Sequence, residues 1–467
     1  MKWIDTQKRA MMLNLFKSKM ARSESDFIDC SKYIDLETPC LIDELATITR
    51  GGGRMTLVKI NGHMNIAGKV NGPEFAKTCE NVLSILKTFY NNDQDVQVTW
   101  SYEQDPFSTR NDLEEITRPS LNSAHRHKLD IDETMDVLIE GNTKFCMSQD
   151  SYIALWTTPT PQQEYADGKL VNIPTENTPL MNAHERLFKG SANPFLSDIQ
   201  TIRKHTAYVN RLLERLRDAD VICEPLKAEN AAQLLQHKIN KNSHKYTPLI
   251  FPKSQKDYDL VSGTALINPN TGQYDFSEFM AAPLSEQLTH SSIHETERDG
   301  IIENDGIYYS THTFTVFPKA KASFNILRNA LRNVPFRISF QIKPKPTGTI
   351  LSLHETFNDL FGGLGEKNRE SYRQMQLLKK MHEEHDCPPI LVQILLTTWG
   401  RTEGEAQQNS KVISNVLVDW GGAKMESDNI SPYQTYFSGI AGLSAESHSQ
   451  GFLMSVDKLV PPVSYTH

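Results

Sequence analysis

The stretch "VQVTWSYEQDP" (residues 96–106) alternates apolar and polar residues with the period of a β-strand. Its apolar members fall on one face: Val96, Val98, Trp100 and Tyr102. β-Branched and aromatic side chains of this kind fit a pleated surface that packs against a core. The stretch therefore predicts a strand, and the segments around it indicate which elements that strand joins.

A β-hairpin is expected just before this strand, in "TLVKINGHMNIAG" (residues 56–68). Asn61-Gly62 separates two arms with alternating apolar residues, and Asn-Gly between such arms is the strongest short-range signal for a hairpin turn. Gly51–Gly53 lie upstream without a helix start behind them, and they are interpreted as a hinge. The hairpin opens a predicted α+β unit over residues 51–160.

Helices and a further strand complete this first unit. A helix is expected to begin at Pro73, because proline suits the first helical position, and its apolar stripe includes Cys79 and continues to Phe89. Helical material follows around residues 111–140, and "SYIALWTTP" (residues 151–159) has the pattern of a strand. This order of elements predicts a largely antiparallel sheet with helices packed on it.

Residues 306–467 predict a second unit built from the same kinds of element. Strands are expected at "GIYYSTHTFTVFP" (306–318), "PFRISFQIKP" (335–344) and "PILVQILLTTWG" (389–400), with helical patterns between and after them. The apolar run at 390–396 has the length of a buried strand. The predicted fold class is therefore α+β, with two α/β sandwich-like units whose sheets are largely antiparallel.

Between the two units the sequence predicts a helical hairpin and a connector. Residues 161–240 begin as a proline-rich loop and continue as two helical patterns that Pro225 separates. Five leucines of these helices could pack internally or across subunits: Leu212, Leu213, Leu216, Leu234 and Leu235. Residues 241–305 are polar and weakly patterned, and so long a loop favours an insertion or an interdomain connector.

Residues 1–50 are predicted to be an amphipathic segment followed by an acidic one. Residues 1–22 contain six basic residues and a single acid, Asp5. Their apolar side chains could line one helical face: Trp3, Met11, Met12, Leu15, Phe16 and Met20. Such a helix could lie on an anionic membrane surface, or it could pack on its own domain or on a sister subunit. Packing is favoured, because stripes rich in methionine and leucine usually belong to cores.

Composition disfavours several classes of protein. The chain has 467 residues, of which 49 are basic and 57 acidic, and its net charge is −8. No long block of like charge is present, so broad electrostatic capture of nucleic acid is disfavoured. No apolar run approaches the ~20 residues that span a membrane. The six cysteines form no C-x-x-C pair, which disfavours a disulfide scaffold. These features predict a protein that is cytosolic or peripheral to a membrane.

The best metal candidate in the sequence is "MHEEHDC" (residues 381–387). The zinc-protease pattern H-E-x-x-H places its histidines four residues apart, so that both share a helical face. Here His382 and His385 are three residues apart, and the spacing fixes no third ligand. A polar helix end is the better interpretation, since histidine suits the C-terminal end of the helix dipole, and no metal ligand is assigned. Three weaker candidates are the motifs that begin at His125, His294 and His354.

The best phosphate-binding candidate is "GGLGEKN" (residues 362–368). A P-loop, G-x-x-x-x-G-K-[ST], wraps phosphates with backbone amides and needs glycine before the lysine and a hydroxyl residue after it. Glu366 and Asn368 stand at those two positions, and no strand leads into the segment. A turn before a helix is the better interpretation. No G-x-S-x-G sequence is present, and no catalytic or cofactor-binding residue is assigned.

Several of these patterns together resemble the N-terminal region of type IV secretion and conjugation ATPases of the TraC/VirB class. The resemblance is carried by the hairpin, its following helix and "VQVTWSYEQDP", by "YIALWTTP" (152–159), by the helical pair over 209–240 and by "ALRNVPFRISFQIKP" (330–344). In that class a RecA-like motor domain with a P-loop follows the N-terminal region. The resemblance implies that this chain stops, at "LVPPVSYTH" (459–467), where the motor would begin, and that no nucleotide-binding residue lies within it.

The resemblance implies a non-catalytic assembly and docking domain of an ATPase that powers export of protein substrates. The implied partners are sister subunits in a hexamer or a dimer of hexamers, other secretion-system ATPases and inner-membrane components, with no nucleic acid. ATP and Mg²⁺ would bind only in the motor domain, and the location would be cytoplasmic, peripheral to the inner membrane. Two rivals stay open: a metal-dependent hydrolase that uses residues 382–387, and an adaptor or effector unrelated to secretion motors.

Overall fold

In the computed structural model the described residues build one large sheet with helices on both faces. The described residues are 29–40, 43–50, 52–63, 84, 86–87, 89–90, 95–158, 163–166, 169–172, 199–242, 248–251, 266–267, 274–275, 283–289, 293–296, 300–318, 324–344, 388–449, 451–456 and 459. Residues 1–22, Pro73 and Cys79 therefore lie outside the described part of the chain.

Strands account for most of the regular elements. In chain order they are β1 Leu36–Pro39, β2 Thr47–Thr49, β3 Arg54–His63, β4 Val96–Asp105, β5 Ser148–Thr157, β6 Gln163–Ala166, β7 Lys169–Asn172, β8 Val221–Pro225, β9 Leu266–Ile267, β10 Tyr274–Asp275, β11 Ile293–Glu295, β12 Ile301–Asn304, β13 Ile307–Val316, β14 Phe336–Pro344, β15 Pro389–Gly400, β16 Lys424–Ser427 and β17 Phe452–Ser455.

The described residues also form a series of α-helices, preceded by a 3-10 helix at Cys30–Tyr33. They are α1 Thr109–Arg126, α2 Asp132–Thr143, α3 Ile199–Asp218, α4 Ala228–Ile239, α5 Leu284–Gln287, α6 Phe324–Ala330, α7 Glu403–Asp419 and α8 Pro432–Ser438. Helical residues also occur at positions 84, 86–87 and 89–90, where Leu86 and Phe89 are buried.

Thirteen of the strands form a single antiparallel sheet. Its main order is β1-β2-β3-β5-β4-β14-β15-β13-β12-β11, and β8 adds to β3, β16 to β13 and β17 to β15. The strands β6 and β7 form a separate pair, as do β9 and β10. The fold class is therefore α+β with a large antiparallel sheet, which confirms the class predicted from the sequence.

The centre of the sheet joins the two stretches in which the sequence predicts separate units. Strand β4 belongs to the first stretch and β14 to the second, and they pair from Val98 opposite Ile342 to Gln104 opposite Phe336. Strands β5 and β15 flank this pair on either side. The sheet is thus continuous across the boundary between the two predicted units.

Two hydrophobic clusters cover the two faces of the sheet. The first contains the apolar side chains of β4 predicted to share a face, together with side chains of α3, α6 and α7. The second contains alternate residues of the same sheet with side chains of α4, α5 and α8. Successive strand residues point to opposite faces, so Val58 joins the first cluster and Leu57 the second. Apolar burial on both faces, at about 25 cal/mol per Å², is the main source of stability.

The second face of β4 is polar, and it is buried as well. Side chains of β4, β14 and β15 on this face donate hydrogen bonds to backbone carbonyls of residues 438–449. The donors and acceptors are Ser339 to Gly439 (2.6 Å), Gln341 to Ser438 (3.1 Å), Gln393 to Ser449 (2.7 Å) and Gln97 to Ala445. Buried carbonyls need such partners. These polar side chains therefore hold residues 438–449 on the sheet. In a sheet with only one covered face, the same side chains would be exposed to water.

The predicted hairpin at Asn61-Gly62 is wrong. Strand β3 runs through both residues to His63, and Asn61 is the extra residue of a bulge opposite β8, where the register shifts between Ile60 and Gly62. Gly62 has φ 145°, which glycine adopts without strain. Pairing with β8, far away in the sequence, outweighs the local preference of Asn-Gly for a turn.

The hairpin of this region lies earlier, at the glycines interpreted as a hinge. The amide of Gly52 donates to the carbonyl of Thr49 (2.9 Å), and the amide of Thr49 donates to Gly53 (3.0 Å). Gly52 has φ +89°, a conformation that favours glycine. Gly52 and Gly53 therefore belong to the tight turn between β2 and β3.

The predicted helical hairpin over 197–240 is a helix–strand–helix unit. Strand β8 separates α3 from α4 and pairs with β3. The two helices pack on opposite faces of the sheet, because Leu212 and Leu216 belong to the first cluster and Leu235 to the second. The leucines considered for contacts across subunits therefore pack inside the molecule.

The predicted connector over 241–305 contributes part of the sheet. Strands β11 and β12 lie at its C-terminal end, and β12 pairs with β13 through Ile302 opposite Tyr309. These strands are only three and four residues long, too short for a reliable alternation of apolar and polar residues. In the described part of the chain no helix is both long enough and apolar enough to cross a membrane.

Gly400, the last residue of β15, provides a test of the contact between the sheet and α7. A Cβ at Gly400 would lie 2.6 Å from the amide nitrogen of Ala406, so Gly400→Ala forces the first turn of α7 away from the strand. We expect a loss of about 1–3 kcal/mol in the free energy of unfolding, measured in urea. The matched control is Gly404→Ala in the same helix, where a Cβ has no neighbour within 4 Å and alanine is the better helix former. Equal destabilisation by both variants would contradict this packing.

Candidate functional site

A cluster of six charged side chains lies where β4, β5 and β14 meet the end of α4. Its members are Glu103, Asp105, Asp150, Lys238, Lys241 and Arg337. Glu103 and Arg337 face each other in the register of β4 and β14. Nε and Nη2 of Arg337 both lie 2.8 Å from Oε2 of Glu103, and the two side chains are only 2% and 7% exposed. This ion pair joins the two middle strands of the sheet inside the core.

Two lysines attach the end of α4 to the same strands. Nζ of Lys238 lies 2.6 Å from Oδ2 of Asp150 and 3.2 Å from Oε1 of Glu103. Nζ of Lys241 lies 2.7 Å from Oδ2 of Asp105, and it sits 4.0 Å from the centroid of the Trp399 ring. A cation over an indole face gains further electrostatic attraction. The lysines therefore bind α4 to β4, β5 and β15 at one place.

The cluster keeps Glu103 and Lys238 charged. Burial alone would raise the pKa of Glu103, but the positive charges of Arg337, Lys238 and Lys241 outweigh it and hold that pKa below its usual range. Burial would lower the pKa of Lys238, but Glu103 and Asp150 raise it above its ordinary value. A general acid or base works best with a pKa near the working pH, and these shifts lead away from neutrality.

The charge balance of the cluster also indicates a structural role. Three carboxylates face three cations, so the cluster has no net charge with which to attract an ionic ligand. The geometry fits an internal clamp rather than a reaction centre. Removing one member would leave its partner charged and buried, which is far more costly than the pair itself.

His205 of α3 occupies a second polar site, in which it is 0% exposed. Nε2 lies 2.8 Å from the hydroxyl of Thr56, and Nδ1 lies 2.8 Å from the hydroxyl of Thr157. The Thr56 hydroxyl already donates to the carbonyl of Leu45, so Nε2 carries the hydrogen and Nδ1 accepts from Thr157. Burial lowers the pKa of His205 to about 4, against the opposing charge of Asp43. A neutral imidazole thus links α3 to β3 and β5.

His312 of β13 lies beside two serines in a third polar site. Nε2 is 3.0 Å from Oγ of Ser310, and Nδ1 is 3.4 Å from Oγ of Ser427. Burial lowers the pKa of His312 to about 4, although Asp428 opposes this shift. His312 and Ser310 are 1% and 4% exposed, so a Ser-His pair of hydrolase type formed by these two residues would have no access to solvent. It is better explained as a satisfied core histidine.

The two best sequence candidates for chemistry lie outside the described residues. Residues 381–387 and 362–368 both fall there, as does His354. The interpretation of the first as a helix end and of the second as a turn therefore stays a prediction. Among the residues described, no three or more His, Cys, Asp or Glu side chains are arranged to hold a metal ion.

The two other histidine candidates form exposed pairs. Nε2 of His125, near the end of α1, lies 2.8 Å from Oδ1 of Asp132, and Nε2 of His294 lies 3.0 Å from Oε2 of Glu303. Both histidine side chains are about half exposed, at 55% and 52%. Each histidine thus has a carboxylate neighbour on the surface.

The helices α1 and α2 form an exposed arm, residues 109–145, between β4 and β5. Most of its side chains face solvent, in contrast to the buried strands at its base. It carries five of the ten large apolar side chains found exposed in the described residues: Ile116 (72%), Leu129 (57%), Val137 (66%), Leu138 (49%) and Phe145 (75%). Apolar side chains concentrated on an exposed element indicate a contact surface. The sequence predicted the helices of this arm but not their exposure.

Removal of the central carboxylate should be strongly destabilising. Glu103→Gln leaves Arg337 and both lysines without their shared partner, and we expect a loss of about 3–5 kcal/mol in the free energy of unfolding, measured in urea. The matched control is Glu114→Gln, which breaks an exposed 2.8 Å contact with Arg110 and should cause no measurable change. A Glu103→Leu/Arg337→Met double variant should be more stable than Glu103→Gln. Similar values for Glu103→Gln and the control would rule out the clamp.

Because His205 is neutral in the folded protein, the free energy of unfolding should decrease in mild acid. Its pKa is about 4 in the folded protein and near 6.5 when unfolded, so the unfolded chain binds more protons between these values. Stability is therefore lost as pH falls from about 6.5 to 4, by ~1.4 kcal/mol for each pH unit within this window at most. Urea unfolding at pH 7.0, 5.5 and 4.5 measures this slope. His205→Gln should be less stable at pH 7.0 but show a smaller slope, and an unchanged slope would contradict this role.

No known family model matches the sequence, and no curated protein matches it either.

Proposed function

We propose that the chain is a non-catalytic assembly and docking domain of a type IV secretion ATPase, a motor that exports protein substrates. The observation that carries this proposal is the exposed arm. Half of the large apolar side chains exposed in the described residues lie between Ile116 and Phe145. A domain whose apolar surface is concentrated in this way is suited to bind other proteins.

The internal chemistry of the described residues supports the same proposal. The charged cluster, His205 and His312 each have their polar partners within the core. Their pKa shifts keep Glu103 charged and the histidines neutral near pH 7, as stable packing requires. These groups therefore contribute to the architecture of the sheet, and the arm supplies the surface for recognition.

The resemblance to the TraC/VirB class gives the proposal its biological setting. Within that class, the proposal takes the ATPase of the Dot/Icm system, DotO (also called IcmB), as the protein that the chain resembles. The proposed partners are sister subunits in a hexamer or a dimer of hexamers, other secretion-system ATPases and inner-membrane components. The proposed location is the cytoplasmic side of the inner membrane, with peripheral attachment through these partners. ATP and Mg²⁺ belong, in this proposal, to a motor domain.

The arm should be required for assembly of the full-length protein. Ile116→Asp/Phe145→Asp changes two side chains that are 72% and 75% exposed, so folding should be preserved while an apolar contact is lost. We expect at least a tenfold weaker self-association or partner binding, measured by sedimentation velocity and co-purification. The matched control is Val418→Asp/Ile430→Asp, at side chains 62% and 70% exposed outside the arm. Normal assembly of the arm variant would overturn the docking role.

The chain itself should neither hydrolyse ATP nor bind it tightly. The segment 362–368 lacks the glycine and the hydroxyl residue that a P-loop needs. Calorimetry with Mg·ATP should give no micromolar binding, and a phosphate-release assay should give no turnover above background. In the gene, a G-x-x-x-x-G-K-[ST] sequence is expected downstream of His467. Its absence from the full reading frame, or turnover by this chain alone, would contradict membership in a secretion motor.

A further inference from the structure

The outward face of α2 combines an apolar side chain with acidic neighbours. Glu133, Asp136, Val137 and Glu140 are spaced so that they share one face of the helix, and all four are exposed. Val137 is 66% exposed in the middle of this face. An apolar side chain that is flanked by carboxylates favours a partner with the opposite pattern, apolar residues flanked by cations.

The charged side chains of residues 129–143 are all acidic, and Lys128 and Lys144 flank them. Residues 129–143 contain five carboxylates and neither lysine nor arginine: Asp130, Asp132, Glu133, Asp136 and Glu140. All five are exposed, Asp132 contacts His125, and Asp136 and Glu140 lie within electrostatic reach of Arg110 in α1. Apolar side chains at Leu129 and Leu138 extend the same surface. The surface is therefore acidic and apolar together.

The chain contains one segment with the complementary chemistry, residues 1–22. It has six lysines and arginines against a single acid, and Met, Leu, Phe and Trp side chains recur between them. Opposite charges steer such an encounter and set its orientation, and apolar contacts supply most of its free energy. The net charge of this segment is opposite in sign to that of the outward face of α2.

The position of residue 29 makes an encounter within one chain feasible. Cys30 packs in the second hydrophobic cluster, and Phe107, at the base of the arm, packs against the same cluster. Residues 23–28 can span about 20 Å when extended, and α2 is about 18 Å long. Cys30 and the base of the arm therefore contact the same hydrophobic cluster.

We propose that residues 1–22 bind the outward face of α2 in the same chain and cover its acidic and apolar surface. The basic side chains pair with Glu133, Asp136 and Glu140, while the apolar side chains contact Val137. This inference does not depend on the family of the protein. It assigns residues 1–22 to a protein surface rather than to a lipid surface.

Site-specific photo-cross-linking of the full chain tests the contact. p-Benzoylphenylalanine in place of Val137 should cross-link to residues 1–22, as identified by mass spectrometry after digestion. In an equimolar mixture of ¹⁴N and ¹⁵N chains, the linked peptides should carry one label only. The yield should fall several-fold in 0.5 M NaCl, because salt screens exposed charges. Glu133→Lys/Asp136→Lys/Glu140→Lys should lower it at least tenfold while the variant keeps the far-UV circular dichroism of the unmodified chain.

The matched control carries the same cross-linker in place of Val418, an exposed valine of α7, and should give no link to residues 1–22. Links at Val137 that join differently labelled chains would overturn the proposal in favour of contact between subunits. Links that are insensitive to the charge reversal, or links to other segments only, would also overturn it. A chain that gives no link at Val137 but sediments with phosphatidylglycerol vesicles at low salt would assign residues 1–22 to membranes.

Discussion

Glu103 and Arg337 occupy opposed positions in β4 and β14, and the rest of the sheet is built around this buried ion pair. A charge inside a core is tolerated only when an opposite charge and hydrogen bonds accompany it. A slip of β4 against β14 would separate the two charges and leave each without its partner. The pair therefore fixes the register at the centre of the sheet and, with it, the join between the N-terminal and C-terminal strands. Lys238 and Lys241 extend this constraint to α4.

The same requirement explains why the second face of the central strands is polar although it is buried. Ser339, Gln341 and Gln393 bind carbonyls of residues 438–449, a segment that would otherwise bury unsatisfied backbone groups. Apolar side chains at these positions would gain surface burial but would leave those carbonyls without donors. Polar strand residues and the covering segment thus depend on each other, and both contribute to a single well-defined arrangement.

Local patterns in the sequence predict the elements that depend on local interactions. The alternation of Val96, Val98, Trp100 and Tyr102 correctly predicts both the strand and its apolar face, and the run at 390–396 correctly predicts a buried strand. The join of β4 to β14 could not be predicted in this way, because its ion pair spans 234 residues of sequence. The hairpin predicted at Asn61-Gly62 was wrong for the same reason, because pairing with the distant strand β8 determines the conformation of these two residues. A usable signal for the cluster did exist: Arg337 lies between Phe336 and Ile338 in a predicted strand, and a charge in a buried strand requires a partner.

The charges of the arm are paired with opposite charges less completely than the charges of the buried cluster. In the core each charge of the cluster has an opposite charge within about 4 Å. On α2, Asp132 and Glu133 lie in the first turn, where the helix dipole favours negative charge, but Asp136 and Glu140 lie beyond its reach. Like charges one turn apart on a helix repel, and an exposed valine at position 137 is a poor helix former. Arg110 of α1 lies within electrostatic reach of Asp136 and Glu140 and offsets part of this repulsion, but it leaves Val137 exposed. The basic and apolar segment proposed to bind this face would neutralise the remaining negative charge and bury the valine.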